Sequence, residues 1–178
     1  AFKALVDAEV EAIMCAYNRT NDEPCCASNH LLNDILREQW GFDGHIVSDC
    51  WALVDLFSEN GHGTVDSRVD AAVLAAQSGV NVNCGDTYPT LLDAVRSGKL
   101  EEAIIDLRLS KLLETKFQLG MFDPKGINPY DTLGESIINQ PTHRQLAREV
   151  AQKSIVLLKN NGVLPLRNDL SRYFVTGP

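Results

Sequence analysis

At 178 residues, 44% hydrophobic and 22% charged, the chain has the size and make-up of one globular domain, or of one domain with a piece of another. Its formal net charge of −8 excludes a nucleic-acid ligand, which needs a basic face, and docking on an anionic membrane surface. No apolar run approaches the ~20 residues of a membrane span, so no membrane partner is expected.

In chain order, three short apolar runs stand out: Ala12-Ile13-Met14-Cys15, His45-Ile46-Val47 and Val80-Asn81-Val82-Asn83-Cys84. They recur roughly every 30-odd residues with helical patterns between them, the signature of βαβ units and a parallel sheet. Ser28 is placed to cap a helix carrying Leu31, Leu32, Ile35, Leu36 and Trp40, closed by Gly41. Asp66 likewise precedes Val69, Val73, Leu74 and Gln77, closed by Gly79. Further helices are predicted over Thr90–Arg96 and Glu101–Leu119, the second closed by Gly120. Residues 121–141, rich in proline and glycine, read as a linker wrapping the surface. Thr142 starts an amphipathic helix through Ala147, Val150, Ala151, Ile155 and Leu158, and Tyr173-Phe174-Val175 reads as a strand. The chain opens at Ala1-Phe2-Lys3 and stops just past that strand, so both ends are expected to be internal to a longer protein.

Ligands of parallel α/β folds meet the carboxyl ends of the strands. There the first run delivers Met14, Tyr17, Asn18 and Arg19, the second Asp49, Cys50 and Trp51, and the third Asn83, Cys84, Gly85 and Asp86. Each has a plain alternative. Asp49 can be the N-cap of a helix at 51–57, Tyr17 and Trp51 core aromatics, and Asn18 a turn residue. Arg19 can be a solvated charge or a carboxylate partner, and Gly61-His62-Gly63 reads as a flexible loop tip. The four histidines show no metal spacing, and no P-loop, G-x-G-x-x-G or G-x-S-x-G occurs, so no cofactor is expected. The five cysteines (15, 25, 26, 50 and 84) lack C-x-x-C spacing; their count fits four paired in an oxidising compartment or five buried thiols.

The segments KALVDAEVEAIMCAYN, GFDGHIVSDCWAL, AAVLAAQSGVNVNCG, KFQLGMFDP and AREVAQKSIVLLKNNGVLPL run in order along the chain. Together they strongly resemble glycoside hydrolase family 3, in its β-xylosidase and β-glucosidase branches. The resemblance implies an α/β fold: residues 1–120 as the C-terminal strands and helices of a (β/α)8 barrel, 121–141 as the linker, and 142–178 as the start of an α/β sandwich domain. It implies a retaining exo-acting β-glycosidase working on a small oligosaccharide or aryl β-glycoside. Asp49 matches the family's nucleophile, and Met14 and Tyr17 match residues lining the sugar pocket.

A retaining glycosidase sets an ionised carboxylate beneath the anomeric carbon, about 5–5.5 Å from the acid/base carboxyl. Asp49 therefore needs hydrogen-bond donors, with Tyr17 the candidate; Trp51 offers an apolar face to the sugar. The Ser-Asp-Cys form resembles the xylosidase-type branch. There the cysteine after the nucleophile can pair with one in the next strand, here Cys50 with Cys84, crowding the place of a hexose hydroxymethyl. Two small buried thiols are the plainer alternative. Cys25 and Cys26 leave a bridge to Cys15 and no bridge both open. The resemblance and the disulfide favour a periplasmic or secreted protein. The family's upstream sugar-binding motifs and its acid/base residue have no counterpart here, so parts of the chain upstream and downstream are expected and 178 residues alone should be inactive. Against the enzyme stand a non-catalytic carbohydrate-binding α/β module and a domain in which Asp49 only caps a helix.

Overall fold

A computed structural model describes residues 1–169, 171–174 and 176, and divides into two units, 1–128 and 129–178. The first unit is α/β. It runs through α1 (Phe2–Asp7), β1 (Ala12–Cys15), the short β2 (Arg19–Thr20) and β3 (Glu23–Pro24), a 3-10 turn at Cys25–Ala27 and a π helix at His30–Gln39. Then follow β4 (His45–Ser48), α2 (Ala52–Asp55), α3 (Arg68–Ser78), a 3-10 turn at Tyr88–Thr90, α4 (Leu91–Arg96) and α5 (Glu102–Gln118).

β1 and β4 pair in parallel, with Ile13 beside Ile46, Met14 beside Val47 and Cys15 beside Ser48. The third run joins them through one parallel bridge, Val47 to Val82, rather than as a full strand. Side chains explain the shortfall. The Asn81 Oδ1 takes the Ile46 N–H at 2.8 Å, and the Tyr88 hydroxyl takes the Val80 carbonyl at 2.6 Å, so two groups that would extend the ladder are already satisfied. Asn81 Nδ2 also donates to the Arg108 carbonyl at 3.0 Å, tying the run to α5. Because Ile46 is fully buried, Asn81→Ala leaves its N–H without a partner. A loss of about 1–3 kcal/mol is expected in urea unfolding; an unchanged midpoint would show that the bond contributes nothing.

The core lies under this sheet. Ile46, Leu53, Leu56 and Val80 are fully buried, joined by Leu32, Leu36 and Phe42. α3 meets them with alanines: Ala71, Ala72, Ala75 and Ala76 form one buried stripe, which lets the helix approach closely. Its N-cap is Ser67, whose hydroxyl accepts from the Asp70 N–H at 3.1 Å, one residue after the expected Asp66. Ser28 does cap, its Oγ accepting the Leu31 N–H at 3.2 Å. The helix it opens closes with an i to i−5 bond, Trp40 N–H to the Ile35 carbonyl at 3.0 Å. Its stripe from Leu31 through Ile35 and Leu36 to Trp40 spans two turns of this wider winding, so the apolar spacing suits a π helix better than an α helix.

Where β1 and β4 begin, Gly44 allows a close approach. A Cβ there would stand 2.0 Å from the Glu11 carbonyl oxygen, the same oxygen that accepts the His45 N–H at 3.1 Å.

In the second unit, 3-10 turns at Pro129–Thr132 and Glu135–Ile137 precede α6 (Pro141–Ser154). Proline opens α6 one residue before the expected Thr142, at a position where its missing N–H costs nothing. The helix ends before Ile155 and Leu158, both exposed. Tyr173 and Phe174 form no strand, and Val175 of that expected strand lies outside the described residues. Among the described residues, no helix is long and apolar enough to cross a membrane.

Candidate functional site

The expected groups gather where β1, β4 and the third run end. Asp49 follows β4 directly, and its N–H donates to the Cys15 carbonyl at 3.1 Å, fixing it against the end of β1. On the other side the Ser48 N–H donates to the Val82 carbonyl at 2.8 Å and the Trp51 N–H to the Cys84 carbonyl at 2.7 Å. Ser48, buried, holds the third run through its hydroxyl, which accepts from the Cys84 N–H at 3.0 Å and from Asn83 Nδ2 at 3.1 Å. Sequence reasoning assigned Ser48 no role; its signal was a serine placed directly before an aspartate at the end of an apolar strand.

Asp49 is half-buried, and its Oδ1 accepts the Cys50 N–H at 2.7 Å. The N-cap position of α2 is Trp51, with no side-chain capping bond, so the capping alternative for Asp49 is not the arrangement found. Tyr17 is placed differently from the expectation. Its hydroxyl donates to the Cys50 carbonyl rather than to Asp49, because the chain turns after Asp49 and presents that carbonyl to the end of β1. Lost water first, then the charges of Asp49 and Asp55, hold the Tyr17 phenol above its ordinary pKa, so it remains a donor.

Trp51 is 57% exposed and adopts φ 69°, a left-handed conformation that for an indole costs on the order of 1–3 kcal/mol. That turn carries its ring across Gly85, where a Cβ would touch Cε3 at 3.6 Å. Cys50 and Cys84 form a disulfide, as do Cys15 and Cys26, while Cys25 is a buried free thiol 3.3 Å from the Thr20 hydroxyl. Both alternatives without bridges are thereby set aside. Both disulfides sit at this one rim. Met14 is not part of this bonded cluster; it is 55% exposed and lines an apolar groove of about 340 Å³ with Phe2, Ile35 and Trp40.

Arg19 is neither a free charge nor a carboxylate partner. It donates to His62, whose ring lies against Tyr17, so the Gly61-His62-Gly63 segment is bonded to the site rather than a loose tip. Among the described residues no group of histidine, cysteine and carboxylate side chains is arranged to hold a metal.

A parallel strand pair flanked by helices, with a carboxylate, an indole and a disulfide at its carboxyl rim, defines an α/β protein with a polar and aromatic cluster at the strand ends. The N-terminal domain of glycosyl hydrolase family 3 matches residues 1–115, and the chain belongs to that family. It is 40% identical over 182 residues to a xylan 1,4-β-xylosidase of Xylanibacter ruminicola, covering 100% of this chain and 21% of that protein. A probable exo-1,4-β-xylosidase of Aspergillus clavatus is 39% identical over 172 residues, covering 94% of this chain and 22% of its own. Among solved structures, a family exo-β-xylosidase bound to a xylobiose aziridine probe superposes with a TM-score of 0.77 at 30% identity, over 92% of this chain and 21% of that one. A β-glucosidase from Erythrobacter marinus gives a TM-score of 0.76 at 35% identity, over 93% and 22%. The chain thus spans about a fifth of the length of these relatives.

Proposed function

We propose that this chain is part of a retaining exo-acting β-glycosidase, with Asp49 as nucleophile. The observation that carries the reading is the placement of Asp49: a half-buried carboxylate at a strand end, its own N–H bonded to the Cys15 carbonyl of the first run and its neighbours Ser48 and Trp51 bonded to the third. A short side chain on a rigid element holds attack geometry better than one on a free loop. The carboxylate would attack the anomeric carbon and form a glycosyl-aspartate ester while the leaving oxygen takes a proton from a second carboxyl. That acid/base is assigned to sequence outside this chain. Water, deprotonated by the same second carboxyl, then releases the sugar and restores Asp49. Residues 1–120 are read as the last strands and helices of the family's (β/α)8 barrel, 121–141 as the linker and 142–178 as the opening of the sandwich domain; on that reading this chain alone is inactive.

The sugar would rest against Trp51, with Tyr17 lining the pocket. The substrate is proposed to be a terminal β-linked pentose of a small oligosaccharide or aryl glycoside. The Cys50–Cys84 disulfide, directly after Asp49, favours xylose over glucose by filling the space of a hydroxymethyl group. Two disulfides favour an oxidising location, secreted or periplasmic. The test compares nitrophenyl xyloside with nitrophenyl glucoside in the full-length protein, with and without Cys50→Ala/Cys84→Ala. The wild type is expected to prefer the xyloside, and the double variant to lose about tenfold or more of that preference, the scale of one small group in a pocket. An unchanged ratio would remove the disulfide from specificity, and no hydrolysis of either would remove the glycosidase reading.

A further inference from the structure

The segment after α2 is built to deliver one imidazole to the end of β1. The His62 N–H donates to the Asp55 carbonyl at 2.6 Å and the Thr64 N–H to the Leu56 carbonyl at 2.7 Å. Gly61 lies so close to α2 that a Cβ would stand 2.6 Å from the Asp55 oxygen; only glycine packs there. The half-buried His62 ring then bridges two residues far away in sequence. Its Nδ1 lies 3.1 Å from Arg19 Nε and its Nε2 2.7 Å from the Tyr17 carbonyl, while the His62 carbonyl accepts from Arg19 Nη2 at 2.5 Å.

A guanidinium can only donate, so Nδ1 must present its lone pair and the ring proton must be on Nε2. That proton is the one the Tyr17 carbonyl accepts, so both bonds demand the same neutral tautomer. Tyr17 is thereby held at both ends: its carbonyl by His62, its hydroxyl on the Cys50 carbonyl beside Asp49.

We propose that His62 is a positioning residue for the Asp49 site, acting through Tyr17 and Arg19, and that it acts only as the neutral Nε2–H imidazole. Protonation removes the acceptor that Arg19 uses and sets two cations face to face. Facing the ring are Arg19 on β2, which donates to it, and Tyr17 after β1, whose carbonyl it meets and whose phenol feels the charges of Asp49 and Asp55. The brace therefore exists only while Nδ1 keeps its lone pair and Nε2 its proton.

This inference rests on the glycosidase reading for its kinetic arm, so the test has a second arm independent of turnover. Nitrogen shifts of histidine in the labelled full-length protein are expected to show His62 protonated on Nε2 with Nδ1 accepting. In the kinetic arm, His62→Ala should lower kcat/KM on nitrophenyl xyloside by about tenfold to a hundredfold, the scale of a misplaced site. His62→Gln keeps one donor and one acceptor but does not titrate. It should hold most of the wild-type rate. An Nδ1–H tautomer, a His62→Gln that falls as far as His62→Ala, or a His62→Ala with the wild-type kcat/KM would each overturn the proposal. If the wild type hydrolyses no aryl glycoside, the glycosidase reading ends, and the nitrogen shifts still decide the brace.

Discussion

Asp49→Ala in the full-length protein is expected to lower turnover of nitrophenyl xyloside by roughly 10⁴-fold, with little change in the thermal midpoint. The size follows from removing the nucleophile itself, because the remaining binding groups still gather the substrate but no carboxylate attacks carbon. The fold survives because Asp49 contributes to the rim through its backbone: its N–H bonds the Cys15 carbonyl, and its carbonyl accepts the Ala52 N–H at 3.2 Å. An alanine keeps both. A fluorinated xyloside that traps the intermediate should leave its mass on the peptide carrying Asp49 in the wild type. Full turnover by the variant, or an adduct on another side chain, would end the assignment.

Gly44→Ala is expected to destabilise the first unit strongly. The added methyl would stand 2.0 Å from the Glu11 carbonyl oxygen, 2.7 Å from its carbon and 2.9 Å from Phe42 Cζ. Two of those atoms are backbone and cannot swing aside. Relief requires β1 and β4 to separate where they begin, breaking the His45 to Glu11 bond and moving Ile46 within the core. Overpacking of a core costs typically 1–3 kcal/mol, and a clash with backbone lies at or above the top of that range, so about 3 kcal/mol or more is expected in urea unfolding. Gly134→Ala, facing open space, serves as the control and should stay within about 0.5 kcal/mol. Equal midpoints for the two variants would mean the strands do not approach as described.

Much of the scaffold was legible in the sequence because its signals are local. The apolar runs at 12–15 and 45–47 lie in strands, the second extended by Ser48, and Gly41, Gly79 and Gly120 stand just past the helices they were expected to close. The third run misled, since an apolar pattern shows what is buried but not which groups satisfy the backbone; Asn81 and Tyr88 take up the bonds a third strand would have made. The site divided in the same way. Asp49, Cys50, Trp51 and Cys84 were legible because they follow strand ends directly, and residue spacing placed them on one rim. The His62 brace was not, for its partners lie more than 40 positions apart, at sequence separations of 43 and 45, and no period links them. Nor could spacing say that the Tyr17 hydroxyl would choose a carbonyl over the neighbouring carboxylate.

The bridge between Cys50 and Cys84 closes a loop with a sequence separation of 34 that contains α2 and α3. By chain-entropy arithmetic, such a closure removes on the order of 3–4 kcal/mol of freedom from the denatured ensemble. After heat or denaturant has dissolved the helices, the stretch holding Asp49 and the stretch holding Asn83 remain tethered, so recovery begins with these two segments already neighbours. A reducing bath would erase that memory of proximity, and the same chain would then have to find its rim by diffusion.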